Sequence, residues 1–225
     1  MSPLAIVWPC HLSVESYATL GRAVEVAPPD CLSCSEPMTR WSGYWRTIRH
    51  GDIDHRVFVA RARCRSCRVT HALLPAFMLA RRLYDAATIG AVIEEVADGK
   101  SGVRPAAGKR GIVHETARGW VRRFGSKAPG IAVSFSALSV EIGGEPATPV
   151  GDTRAYAVSS IKAAFAAAGS LPGWIAIGMW GFCSSVVGGR LLAANTSSPY
   201  LVVGKRRFMP PVPNYDERNQ ESDGP

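Results

Sequence analysis

Two hydrophobic periods divide the first half of the chain. The stretches RWSGYWRTIRH (40–50) and HRVFVARARC (55–64) are rich in aromatic and β-branched residues, the composition of pleated, half-buried strands. Gly51 and Asp52 between them supply a turn. In the second stretch Val57 and Val59 alternate with Phe58 and Ala60, and Arg61 and Arg63 then share one face at a period of two. After Asp85 the period changes. Ile89, Val92, Ile93 and Val96 recur at i, i+3, i+4 and i+7, the apolar face of a helix that Asp85 caps and Gly99 stops.

The helical period continues. A short second helix is expected over Val103–Arg110, with Pro105 in its first turn and Gly108 weakening it. Gly111 marks a turn, with Ala107 four residues before and Ala117 six after, small residues that let two helices cross closely. A third helix, about His114–Phe124, buries Ala117, Trp120, Val121 and Phe124 and exposes Glu115, Thr116, Arg118, Arg122 and Arg123. Such a face suits the recognition helix of a helix-turn-helix: polar groups near its start reach base edges, and arginines near its end hold phosphates.

The second half is less explicit. IAVSFSALSVEI (131–142) fits either a helix or a strand, since Ile131, Val133, Phe135 and Ala137 alternate. Residues 143–151, GGEPATPVG, read as a linker. TRAYAVSSIKAAFAAAG is a helix by its alanines and closing glycine, and GWIAIGMWGFCSSVVGGRLLAAN is a second, apolar enough to pack together or to form a homo-oligomer interface. The run from Ala163 to Gly189 carries no charge, but Gly169, Pro172 and Gly173 break it, so two buried helices are expected and no membrane span. The segment VVGGR lacks the spacing and lysine of a phosphate loop.

Cysteine spacing adds chemistry. Cys31-x2-Cys34, 29 residues, then Cys64-x2-Cys67 is the pattern of a tetrahedral four-sulfur site. A two-residue gap lets one tight turn aim two thiolates at one ion. With four sulfurs and no open position, the expected role is one structural Zn2+. The small ribbon between the pairs has little evident core, so the metal would supply much of its folding energy. Cys10 and Cys183 lack partners at metal spacing and read as buried thiols. His71, four residues after Cys67, reads as structural or as a phosphate contact. The start of the chain lacks a secretory pattern, which favours metal over disulfides and a cytoplasmic, nucleoid-associated setting.

Charge changes the picture again. The formal net charge of the 225 residues is +8, and residues 31–127 hold 18 Lys and Arg against 8 Asp and Glu. All the excess therefore lies where the cysteines and the three helices lie, which points to a polyanion, double-stranded DNA. Candidate contacts are Arg61, Arg63, Arg65 and Arg68 on the ribbon and Lys109, Arg110, Glu115, Thr116, Arg118, Arg122 and Arg123 in the helical unit. Arg118 is the best candidate for a guanine, since arginine bonds O6 and N7 together. No enzyme is expected: Glu94, Glu95 and Asp98 share one helix and read as a solvated face, and no strand carries an apolar-Asp-apolar pattern. The competing reading is a protein–protein adaptor, docking a transposase, a recombinase or the transcription machinery.

PCHLSVESYATLGRAVEV, CLSC, WSGYWR, RARCRSCRVTHALLPAFMLARRLYDAATIGAVIE, HETARGWVRRF and GGRLLAANTSSP together resemble a family of uncharacterised actinobacterial zinc-ribbon and helix-turn-helix proteins. Its members look like companions of insertion-sequence transposases and recombinases. The resemblance covers roughly residues 1–200 and departs at Pro105 and Gly108. It implies a helix for 131–142 and a DNA-binding role, accessory or regulatory, tied to a mobile genetic element with a transposase or recombinase as a further partner. The expected fold is α+β: an N-terminal segment (1–30) packed on the ribbon, a four-cysteine zinc ribbon (31–80), a helix-turn-helix unit (81–127), a mainly α-helical region (128–204) and a disordered tail (205–225).

Overall fold

The computed structural model describes residues 5–193; the tail expected at 205–225 lies outside them. The chain is mixed α+β. In order it forms β1 (Ala5–Trp8), α1 (Val14–Leu20), β2 (Met38–His50), β3 (Ile53–Cys64), β4 (Thr70–Pro75), α2 (Ala86–Ala97), α3 (Val103–Gly108), α4 (His114–Glu141), α5 (Thr153–Ala168) and α6 (Gly178–Val186). One sheet has the strand order β1-β4-β3-β2, with β1 parallel to β4 and the other pairs antiparallel.

The β2–β3 hairpin is the longest ladder, running from Met38↔Cys64 at its base to His50↔Ile53 at the Gly51–Asp52 turn. The ribbon is not the coreless unit the sequence suggested. Ile6, Val7, Tyr17, Ile48, Val57, Val59, Leu73, Leu74 and Met78 are buried together. β1 supplies the far edge, and α1 lays Tyr17 on the sheet, its hydroxyl donating to the Phe58 carbonyl at 2.9 Å. Four residues of AIVW pair with a strand nearly seventy residues away, which no local period announces.

The helices build a second core around Ile89, Ile93, Trp120, Phe124, Ile131, Phe135, Ile161, Trp174 and Phe182. Asp85 caps α2 as its sequence implied, accepting from the Thr88 N–H at 2.8 Å. The third helix does not stop near Phe124. α4 continues to Glu141 with Pro129 inside it, so a boundary at 127/128 cuts a single helix. Proline removes one backbone donor, but Ala128, Ile131, Ala132, Phe135 and Leu138 are all buried beyond it, and that packing holds the helix through the defect. The segment 131–142 is thus helical.

α5 runs beside α4 in the same direction. Arg154 lies against Gly125, Ser160 bonds Ser136 at 3.1 Å, and Ala167 lies against Gly144. The linker 143–152 therefore returns from the end of α4 to the level of Gly125, where α5 begins. α6 is shorter than the sequence suggested: a 3-10 turn at Ile175–Ile177 precedes it, and Gly178, Gly188 and Gly189, all at positive φ, bound it. The apolar residues of α5 and α6 (Val158, Ile161, Phe182, Cys183) are buried within the chain's own core. No helix among the described residues is long and apolar enough to cross a membrane.

α6 joins the two cores. Ser184 donates to the Met78 carbonyl at 2.7 Å, and the Ala80 N–H donates to the Gly189 carbonyl at 2.8 Å. On its other side Trp180 lies flat against α2 at Gly90, where a Cβ would fall 2.0 Å from the indole. Gly90→Ala is therefore expected to destabilise by about 1–3 kcal/mol through overpacking. Gly108→Ala, with no atom near its Cβ, should be neutral or stabilising by up to about 1 kcal/mol. Urea unfolding of both variants measures the contrast; equal stabilities would contradict the docking.

Candidate metal centre and nucleic-acid interface

The two cysteine pairs fold into matching turns. In the first, the Cys31 N–H donates to the Glu36 carbonyl at 2.9 Å; in the second, the Cys64 N–H donates to the Val69 carbonyl at 2.9 Å. The residue after the second cysteine of each pair is left-handed, Ser35 and Arg68 both at φ 62°. A non-glycine residue there costs about 1–2 kcal/mol, and the same cost at the same position in both turns marks a shared requirement. The reversal aims both thiols of a turn inward.

The hairpin register then brings the turns together. Cys31 Sγ lies 3.6 Å from Cys67 Sγ, Cys34 Sγ lies 3.4 Å from Cys64 Sγ, and all four sulfurs fall within 4.8 Å of one another. A metal–sulfur distance of about 2.3 Å sets tetrahedral sulfurs about 3.8 Å apart. The four thiols thus fit a single ion with a closed all-sulfur shell. Cys31 and Cys64 are buried, Cys34 is half-buried and Cys67 is exposed. The Ser33 N–H donates to Cys31 Sγ at 3.4 Å, within the first turn. Burial opposes ionisation of Cys64, but the Cys67 N–H and the Cys34 thiol bring it down to about 7. At Cys67 the Val69 N–H favours the thiolate, yet burial and the neighbouring thiols outweigh it and push Cys67 up to about 12. The tetrad by itself resists holding four negative charges; a divalent cation removes that obstacle.

His71 is fully buried with Nε2 3.6 Å from Cys31 Sγ. It stands behind the sulfurs and cannot reach a phosphate. Cys10 and Cys183 are buried apart from the tetrad, and burial pushes both thiols up, Cys10 to about 12.

At the other end the hairpin docks on the three helices. Arg49 makes a two-point ion pair with Asp54 (2.6 and 2.8 Å), and its guanidinium lies 5.6 Å from the Tyr84 ring. Tyr84 meets Trp120 of α4 edge-on at 5.1 Å. His50 Nδ1 lies 3.1 Å from the Asp85 carboxylate that caps α2. Asp52 at the hairpin turn crowds Gly111, the turn before α4. Tyr84, His50 and Asp52 have no local sequence signal for these roles, because each partner is distant along the chain.

The chain is similar here to one known family. A family model described as a domain of unknown function, DUF6431, matches residues 31–115. The match begins at Cys31 and ends at Glu115, the second residue of α4, so it takes in both cysteine turns, the hairpin, β4, α2 and α3. No curated protein matches, and no solved structure does.

The proposed DNA contacts fall into three groups. Glu115, Thr116, Arg118 and Arg122 are exposed on α4, opposite buried Ala117, Trp120, Val121 and Phe124; Arg123 is half-buried. Arg118 is paired loosely with Glu115 at 3.6 Å. Lys109 and Arg110 are engaged by Glu95 at 2.5 and 2.8 Å, tying α2 to the end of α3. These two cations, Lys109 first, hold the Glu95 carboxyl down at about 2. Glu94 and Asp98 face Lys162 of α5 at 2.7 and 3.7 Å. The acidic stripe on α2 thus fastens helices together rather than standing free. The third group sits at the metal end, about 35–40 Å of strand away: Arg65 and Arg68 are exposed, and Arg61 and Arg63 are half-buried.

The sheet has its own apolar core, so metal removal should act locally. With chelator and reductant, amide exchange over 31–40 and 61–70 is expected to rise about tenfold or more. Exchange across α2 and α4 should stay unchanged. Hydrogen-exchange mass spectrometry reads both. Cooperative loss of protection throughout would show that the ion holds the whole fold.

Proposed function

We propose that this protein is a zinc-dependent, duplex-DNA-binding accessory or regulatory factor of a mobile genetic element. The observation that carries the reading is the α2–α3–α4 unit. Its first two helices pack Ile89, Ile93, Ala106 and Ala107 beneath α4, and α4 turns Glu115, Thr116, Arg118 and Arg122 outward at the end nearest the turn. This supports a helix-turn-helix reading, in which the last helix enters a major groove. Arg118 reads a guanine edge, Thr116 and Glu115 assist, and Arg122 and Arg123 hold phosphates. Lys109 and Arg110 act through Glu95, keeping the turn in place, and reach phosphate only by releasing it.

The metal is zinc in this reading: tetrahedral all-sulfur shells favour it, and the closed shell gives it a structural role. Bound, it neutralises the thiolates and fixes the turns that carry Arg65 and Arg68. The strand length between those arginines and α4 is close to one turn of B-DNA, about 34–36 Å, so one duplex can satisfy both ends. The mobile-element setting and a transposase or recombinase partner rest on the resemblance of the cysteine turns, THALLP and ARRLYDA to proteins of that kind.

Binding to random duplex as salt rises provides the test, with site selection from a randomised pool. Arg122→Ala should lower the salt slope by about 0.9. Arg118→Ala should weaken the selected site by about 1–3 kcal/mol and relax preference at one base pair. A flat salt response with no selected sequence would favour the adaptor reading instead.

A further inference from the structure

A ladder of alternating cations and rings crosses the β2–β3 hairpin, separate from the helix-turn-helix face. The Arg56 guanidinium lies 5.1 Å from the Trp45 ring, Trp45 meets Phe58 edge-on at 5.4 Å, and Arg22 lies 5.4 Å from the Phe58 ring on its other flank. Arg40 donates to the Arg22 carbonyl at 3.1 Å, and Arg63 lies 4.7 Å from the Trp41 ring. The ladder ends in a shallow groove of about 470 Å³ between Arg22, Arg40, Trp41 and Phe58.

Backbone features build this surface. The register shifts between Arg40 and Ser42, so Trp41 has no cross-strand partner and stands 59% exposed. Gly43 opens the groove floor, because a Cβ there would lie 2.2 Å from the Phe58 ring. Tyr44 and Trp45 are exposed beside it. Burying aromatic residues is the usual outcome of folding; here they are spread along the outer strand of the sheet.

We infer that this face binds single-stranded nucleic acid, unpaired bases stacking on Trp41 and Trp45 while arginines follow the phosphates. Charge selects the class of ligand: Arg22, Arg40, Arg56 and Arg63 lie beside the rings, while Arg46 is turned onto the Leu79 and Arg82 carbonyls and Arg49 engages Asp54, the one carboxylate on β2 and β3. The rings select within it. A duplex hides its base faces, and an acidic peptide uses the arginines without the rings, whereas an unpaired strand offers both phosphate and π-face. Arginine over an aromatic ring also strengthens such a platform, by cation–π attraction to both ring and base. The site lies on the hairpin and needs nothing from Arg118.

The test uses the full-length, metal-loaded chain and fluorescence anisotropy at low salt. The probes are a labelled oligothymidylate of about 15 nucleotides, an abasic oligomer with the same number of phosphates, and a polyglutamate peptide. Oligothymidylate should bind at least about tenfold more tightly than the abasic strand. Trp41→Ala should weaken it by about tenfold, with Trp41→Phe recovering most of the loss. Arg118→Ala should leave it unchanged while weakening duplex, which separates this site from the helix-turn-helix whichever of the two fails. Equal binding of the abasic strand, indifference to Trp41→Ala, polyglutamate binding as tight as oligothymidylate, or no binding of oligothymidylate would each overturn the inference.

Discussion

The register of the β2–β3 hairpin is the constraint on which the molecule depends. Pairing Met38 with Cys64 at one end closes the gap between two cysteine turns; pairing His50 with Ile53 at the other sets Gly51–Asp52 against Gly111. A slip of one residue would turn Val57 and Val59 out of the core and swing Cys64 away from Cys34. The same ladder therefore fixes the sulfur cluster and the seat of the three helices, about 35–40 Å apart along the strands.

That geometry divides the labour between the two ends. Ionic and aromatic contacts of Arg49, Tyr84 and His50 couple the hairpin to Trp120 and to the cap of α2, so α4 is oriented by the sheet. The cysteine end holds two exposed arginines, Arg65 and Arg68, in its second turn, and each turn holds one left-handed residue, Ser35 or Arg68. Each end has its own buried cluster, and α6 joins the two. In the proposed reading, the rigid strands between them set how far apart the protein can grip one duplex.

Much of this was legible where the physics is local. C-x2-C spacing, the Asp85 cap, the Gly51–Asp52 turn and the buried face of α4 each follow from a few neighbouring residues. What was hidden is long-range. The third helix is expected to end near Phe124, and the packing of Ile131, Phe135 and Leu138 carries α4 on past Pro129 to Glu141. β1 is four residues long and pairs in parallel with a distant strand. The acidic residues of α2 read as solvated because their partners, Lys109, Arg110 and Lys162, come from other elements. The exposed tryptophans of β2 read as ordinary strand formers; the bulge after Arg40 is what turns Trp41 outward.

Four thiols this close hold a tetrahedral ion or share protons, and the two states differ in composition. Elemental analysis of protein purified without added metal, combined with alkylation of accessible cysteines, decides between them. The account predicts one zinc per chain, with Cys31, Cys34, Cys64 and Cys67 protected until chelator is added. Metal-free protein with four reactive thiols, or with disulfides joining the pairs, would contradict it.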